Sequence, residues 1–166
     1  MLQSQRFKDY GVLTGTLGDY QIKVDIALVC GLLGNGANNN ADKLIQETIN
    51  SESQNGNYPD STKTFGEGLG QFDKIAFYDV KQRARQSHKK LLNLILVDVD
   101  NAKYEDLRKS ARLAVAFIRL KYLLIPEAIP KHFNERYAYY KKYYNTELGK
   151  ATFAHFRDSN INNSVT

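Results

Sequence analysis

Glu52 closes the stretch Ala41-Asp42-Lys43-Leu44-Ile45-Gln46-Glu47-Thr48-Ile49-Asn50-Ser51-Glu52-Ser53, whose apolar spacing predicts a helix. With residues about 100° apart and Leu44 at zero, Thr48 falls near ~40°, Ile45 near ~100° and Ile49 near ~140°. Glu52 then lies near ~80°, inside this apolar arc, and Glu47 near ~300°, outside it. A carboxylate held against an apolar surface is disfavoured in its charged form, so Glu52 is expected to keep a proton near neutral pH. That is the property of a general acid. The bland alternative is a helix-end Glu that caps the helix or pairs with a lysine. Glu47, on the outer face, is expected to be an ordinary solvated residue.

A glycine-rich turn follows, Gly66-Glu67-Gly68-Leu69-Gly70-Gln71-Phe72-Asp73-Lys74. A phosphate-binding loop would need the Gly-x-x-x-x-Gly-Lys spacing after a strand, and neither is present. The Glu52-Ser53 pair, Ser61 and then Gly68-Leu69-Gly70-Gln71-Phe72 resemble the first half of the signature of lytic transglycosylases and goose-type lysozymes. Near the C-terminus, Tyr143-Tyr144-Asn145-Thr146-Glu147-Leu148-Gly149-Lys150-Ala151 resembles the Tyr-Asn-(Thr/Ala)-Gly-x-Gly motif lining the other wall of that cleft. It departs from it in Glu147-Leu148 before Gly149 and in Lys150-Ala151 where the family often has a second glycine. With Tyr78-Asp79-Val80 and Ile125 to Pro130, the look is that of phage-encoded, often virion-associated members. The resemblance covers Asp42 to Phe156.

The resemblance implies a peptidoglycan-degrading glycosidase that cleaves the β-1,4 bond between N-acetylmuramic acid and N-acetylglucosamine. Glu52 would be the acid, and Ser61, Glu67, Gly68, Leu69, Gln71, Phe72, Tyr144 and Asn145 would meet the glycan. Within that set, Tyr144 would point its hydroxyl toward Glu52 and Asn145 would bond an N-acetyl group. Glycosidases commonly use a second carboxylate. Asp73 stands where goose-type lysozymes carry an Asp, Asp60 lies in the preceding loop, and Glu67 is peculiar to this turn. Each has a plain reading as a solvated or capping residue, Asp73 most obviously as an N-cap. Glycines in such a turn let backbone approach a sugar ring closely. The alternative bland reading of Gln71 is an amide tying the turn to the core.

Tyr137, Tyr139, Tyr140, Tyr143 and Tyr144 are many for a core without Trp, so half of them are expected at the surface, where sugars or bases stack. His88, His132 and His155 are scattered without partners at ligand spacing, so neither a metal nor another cofactor is expected. The single cysteine, Cys30, lies in the apolar run Ile26 to Leu33 and reads as a small core residue. A net charge of +5 suits an anionic partner: peptidoglycan, nucleic acid or a membrane surface. A basic nucleic-acid-binding module using Lys81 to Lys90 and the tyrosine helix is the rival reading, and a catalytically dead wall-binding protein a third. The longest apolar runs fall short of the roughly 18 residues of a membrane span. No secretory signal opens the chain, so an enzyme of this kind is expected to be made in the cytoplasm and delivered to the wall by a virion or at lysis. It would act as a monomer or as part of a larger virion assembly.

These residues need a scaffold, and 166 residues suffice for a single domain with its own core. The expected fold is mainly α and lysozyme-like, with a small loop or hairpin lobe around residues 55–70. Residues 1–19 read as irregular, with Asp19 capping a helix Tyr20 to Leu33 and Asn40 capping the helix of Glu52. From Asp73 a helix runs into a basic half, Lys81, Arg83, Arg85, His88, Lys89 and Lys90, expected as a charged rim. Leu91 to Val97 reads as helix in preference to buried strand. Tyr104 to Leu124 is expected as the longest, central helix, ended by Pro126 and Pro130. Phe133 to Tyr144 and Lys150 to Arg157 complete the helices, and 158–166 is expected as a flexible tail.

Overall fold

The computed structural model describes residues 15–56, 66–145 and 151–162. They are mainly helical: α1 (Gly15–Leu33), α2 (Ala41–Ser53), α3 (Lys74–Arg83), α4 (Gln86–Asn93), α5 (Ala111–Leu123), α6 (Phe133–Tyr140) and α7 (Phe153–Asn162). A 3-10 turn at Tyr104–Arg108 precedes α5, and a π-turn at Lys141–Asn145 continues α6. Among the described residues the β pairing amounts to one isolated antiparallel bridge, Glu67 with Phe72. The expected lobe is thus described only at its feet, because residues 57–65 lie outside the described set.

α5 is the central helix, with ten of its thirteen residues buried, and it packs against α1, α2 and α3. The 3-10 turn stops short of it, because Ser110 caps α5 by accepting from the Leu113 amide at 3.1 Å. Among the described residues the longest helix is therefore α1, which begins before Tyr20 and buries Ile22, Ile26, Val29, Cys30 and Leu33 along one face. Asp19 lies inside it, and its carboxylate accepts from Asn55 instead of capping. Cys30 is buried as expected, and its surroundings push the thiol up to about 11. Gly34, at φ +88°, ends α1. The buried guanidinium of Arg119 on α5 donates twice to the Gly34 carbonyl, at 3.0 and 2.9 Å. No helix of the described residues is long and apolar enough to cross a membrane.

Four further expectations change. Asn40 precedes α2 without capping it, because its amide donates to the Pro130 carbonyl, and Asn35 Oδ1 takes the Asp42 amide instead. The Leu91–Val97 run is neither helix throughout nor strand: α4 ends at Asn93, and Val97 and Val99 enter the core while Leu94 and Leu96 face outward. The basic half is broken at Ala84 and partly folded inward. There Lys89 is buried against Asp100 (2.6 Å) and the Lys81 carbonyl (2.7 Å), Lys81 donates to the Ala102 carbonyl, and Arg83 pairs with Asp79. The expected tail is helical through Asn162, since Phe156 and Ser159 pack inward on α7.

Candidate active site

α2 carries Glu52 on its last turn, yet nine of its thirteen residues are buried, far more than a single apolar stripe. Its second buried face is polar and meets α6 and α7. Glu47 is buried against Arg136 of α6, with Nε to Oε1 at 2.6 Å and Nη2 to Oε2 at 3.0 Å. This overturns the expectation of a solvated Glu47: the wheel placed it outside the apolar arc, but α6 supplies a bidentate partner there. Burial pushes its carboxyl up, and the Arg136 bonds oppose that. Asn50 and Ser51 meet α7 through Asn160 and His155.

Glu52 is half-buried, and the Tyr140 hydroxyl donates to its Oε1 at 2.6 Å. The family pattern assigned this contact to Tyr144. Here the helix widens into the π-turn after Tyr140, and the Tyr144 hydroxyl instead donates to the Gly70 carbonyl at 2.6 Å. The two rings stack at 5.9 Å. Burial raises both hydroxyls well above the ordinary tyrosine range, so each remains a protonated donor. Tyr139, Tyr140 and Tyr144 are buried and Tyr137 and Tyr143 half-buried, so the tyrosines build core more than a stacking platform.

Ser53 ties the acid-bearing helix end to the glycine turn. Its Oγ lies 2.8 Å from the Leu69 carbonyl and 3.0 Å from the Ile49 carbonyl, sharing one proton, and accepts from the Gly56 amide at 3.1 Å. The turn demands its glycines: a Cβ on Gly68, at φ +74°, would sit 2.4 Å from the Leu107 carbonyl oxygen, and one on Gly70 2.3 Å from the Tyr144 hydroxyl. Leu69 and Phe72 are core side chains, and Phe72 packs edge-on against Phe117 and Tyr144. Their contribution to the site is placement of the backbone. Gln71 donates to the Gly68 carbonyl of its own turn at 2.8 Å.

The second-carboxylate candidates separate. Asp73 is exposed and caps α3, accepting from the Ala76 amide at 2.7 Å. Glu67 lies 3.6 Å from Arg108 in an ion pair. Asp60 and Ser61 lie outside the described residues, as do 146–150 of the second motif. Asn145 accepts from Lys141 at 2.9 Å and from the Ala151 amide at 3.3 Å.

Sequence reasoning missed two residues, Tyr140 and Lys121. Tyr140 stands four residues before the motif tyrosine, and the tyrosine-rich spacing was the available signal. Lys121 belongs to the central helix, where its charge gave no hint, and its Nζ lies 4.2 Å from the Tyr144 ring centre and 5.4 Å from that of Phe72. Two cavities of about 460 and 400 Å³ open elsewhere, the first beside Asp25 and Arg112 and the second over Glu47 and Arg136. Neither is lined by Glu52. Among the described residues no group of three His, Cys, Asp or Glu could hold a metal ion. No family model, curated protein or solved structure matches the chain.

Proposed function

We propose that the chain is a peptidoglycan-degrading glycosidase of lysozyme-like fold, with Glu52 as the acid. One observation carries the reading. Three segments far apart in the sequence meet through side chain to backbone and side chain to side chain hydrogen bonds: Ser53 with Leu69, Tyr144 with Gly70, and Tyr140 with Glu52. These are the segments whose motifs resemble lytic transglycosylases and goose-type lysozymes. A resemblance in sequence order alone does not require such contacts.

In this reading Glu52 protonates the glycosidic oxygen between N-acetylmuramic acid and N-acetylglucosamine as the C1–O bond breaks. Tyr140 holds the carboxylate in one orientation, which is how a positioned acid gains its effect. Two endings are open to the cation at C1. In hydrolysis water adds to C1, ordered by a carboxylate such as Asp73, whose Oδ1 is engaged by the Ala76 amide. In the transglycosylase ending Glu52 takes the proton of the muramoyl 6-hydroxyl, whose oxygen closes on C1 as a 1,6-anhydro sugar. The setting is phage-type wall penetration or host lysis.

Mass spectrometry of fragments released from purified cell wall tests this. Anhydro ends and reducing ends differ by one water, so either product supports the glycosidase and distinguishes its ending. Release of neither overturns the reading.

A further inference from the structure

We propose that Lys121 is a positioning residue for Glu52: its ammonium, packed on the Tyr144 ring, keeps the carboxylate ready both to give a proton and to take one back. The inference rests on the reading of Glu52 as the acid. Lys121 leaves the central helix α5 toward both motif walls. Its Nζ lies 4.2 Å from the Tyr144 ring centre and 5.4 Å from that of Phe72, and donates to the Tyr144 carbonyl at 3.4 Å. Tyr144 in turn stacks on Tyr140, whose hydroxyl holds Glu52. A lysine ammonium ordinarily seeks water. Here it is half-buried over the Tyr144 and Phe72 rings with a long hydrogen bond to the Tyr144 carbonyl, an arrangement that favours negative charge nearby. Burial lowers its pKa, and Asp73, Glu52 and Asp79 act against that.

Titratable groups reach Glu52 from several elements. α5 brings Lys121 and Tyr122, and α6 and the π-turn bring Tyr140 and Tyr144. On α7, His155 Nε2 meets the carbonyl of the preceding residue, Ser51, at 2.9 Å, and Asp73 of the glycine turn acts on Lys121 and Tyr144. Burial keeps the three tyrosines neutral. Asp73 and Asp79 carry the same sign as Glu52. Within this set Lys121 is the cation whose ionisation lies furthest from that of a carboxylate.

The chemistry explains why a cation belongs there. Glu52 must surrender its proton as the leaving oxygen departs, and either ending then requires it as an anion or a base. A carboxyl in purely apolar surroundings clings to its proton, and a nearby ammonium offsets this.

Lysis rates on purified wall, measured against pH for Lys121→Met and Lys121→Arg, provide the test. Loss of activity on the alkaline side marks deprotonation of the acid. In Lys121→Met that limb should move up by about half a pH unit or more, in the direction expected when a neighbouring positive charge is removed. Lys121→Arg should leave it in place, and His155→Gln, made alongside, should as well. If Lys121→Met is too unstable to purify, Lys121→Gln answers the same question. A lysine that only fills space would lower activity at every pH with the limb unmoved, and that outcome overturns the inference. Parent lysis abolished by Glu52→Gln, with an unmoved limb in Lys121→Met, sinks this inference alone. A lytic Glu52→Gln sinks the reading beneath it.

Discussion

Arg136 grips both oxygens of Glu47, joining α6 to α2 through an ion pair in which each residue is only 7% exposed. Removing one partner strands the other charge in the interior. Glu47→Gln and Arg136→Met should each cost about 3–5 kcal/mol, whereas the double replacement should cost less than the sum. Urea unfolding of the four proteins completes the cycle. Any loss of lysis in Glu47→Gln should track the unfolded fraction, which separates it from a defect at Glu52.

Glu52→Gln should leave the unfolding midpoint nearly unchanged, because the amide oxygen can still accept from Tyr140. Turbidity clearing should fall by roughly two orders of magnitude or more, the usual contribution of a positioned general acid. Tyr140→Phe should fold and lose about tenfold to a hundredfold, by releasing the carboxylate from its orientation. Equal clearing by parent and Glu52→Gln would remove Glu52 from the chemistry.

Ser53→Ala removes a hydroxyl that serves two carbonyls and one amide. It should cost about 1–3 kcal/mol by leaving buried groups unpaired. Hydrogen exchange should quicken at Gly56 and through residues 68–71 before it quickens in α1. Uniform quickening across the domain would show that the hydroxyl contributes to global stability alone.

Asp25, buried beside Arg112, has its pKa raised by desolvation, with the Arg112 hydrogen bond and charge acting against it. A raised folded-state pKa means that the folded chain holds this proton more tightly than the unfolded one. Its contribution is therefore greatest below the unfolded value of about 3.9 and is lost as pH climbs through the folded value. Parent stability minus that of Asp25→Asn should decline as pH rises upward from about 4. A difference that grows over that interval would contradict the burial argument.

The helices were legible where one face is apolar at a steady step, as along Ile22, Ile26, Val29 and Leu33. They were less so where polar side chains are buried by partners from distant helices. Glu47 is the sharpest case: its place on the wheel was correct, but Arg136, 89 residues away, turns that face inward. The tight turn was legible because Gly68 and Gly70 leave a chemical trace of close backbone approach, here to Leu107 and Tyr144. The exchange of roles between Tyr140 and Tyr144 was not, since it depends on the widening at Lys141–Asn145, which shifts the two rings relative to a continuous α-helix. Asp73 illustrates a limit of composition, because one carboxylate suits a cap and a water-orienting group equally well.

The Ser53 hydroxyl holds Gly56 on one side and Leu69 on the other. The chain between those two points therefore leaves the acid's helix and returns to it at a single atom. Closure cost rises slowly with length, so a change in the number of residues between Gly56 and Gly66 should have little effect on where Glu52 stands. Such a fastening uncouples the length of the chain between its two anchors from the placing of the Glu52 carboxyl, which is a way to let one vary while the other is kept.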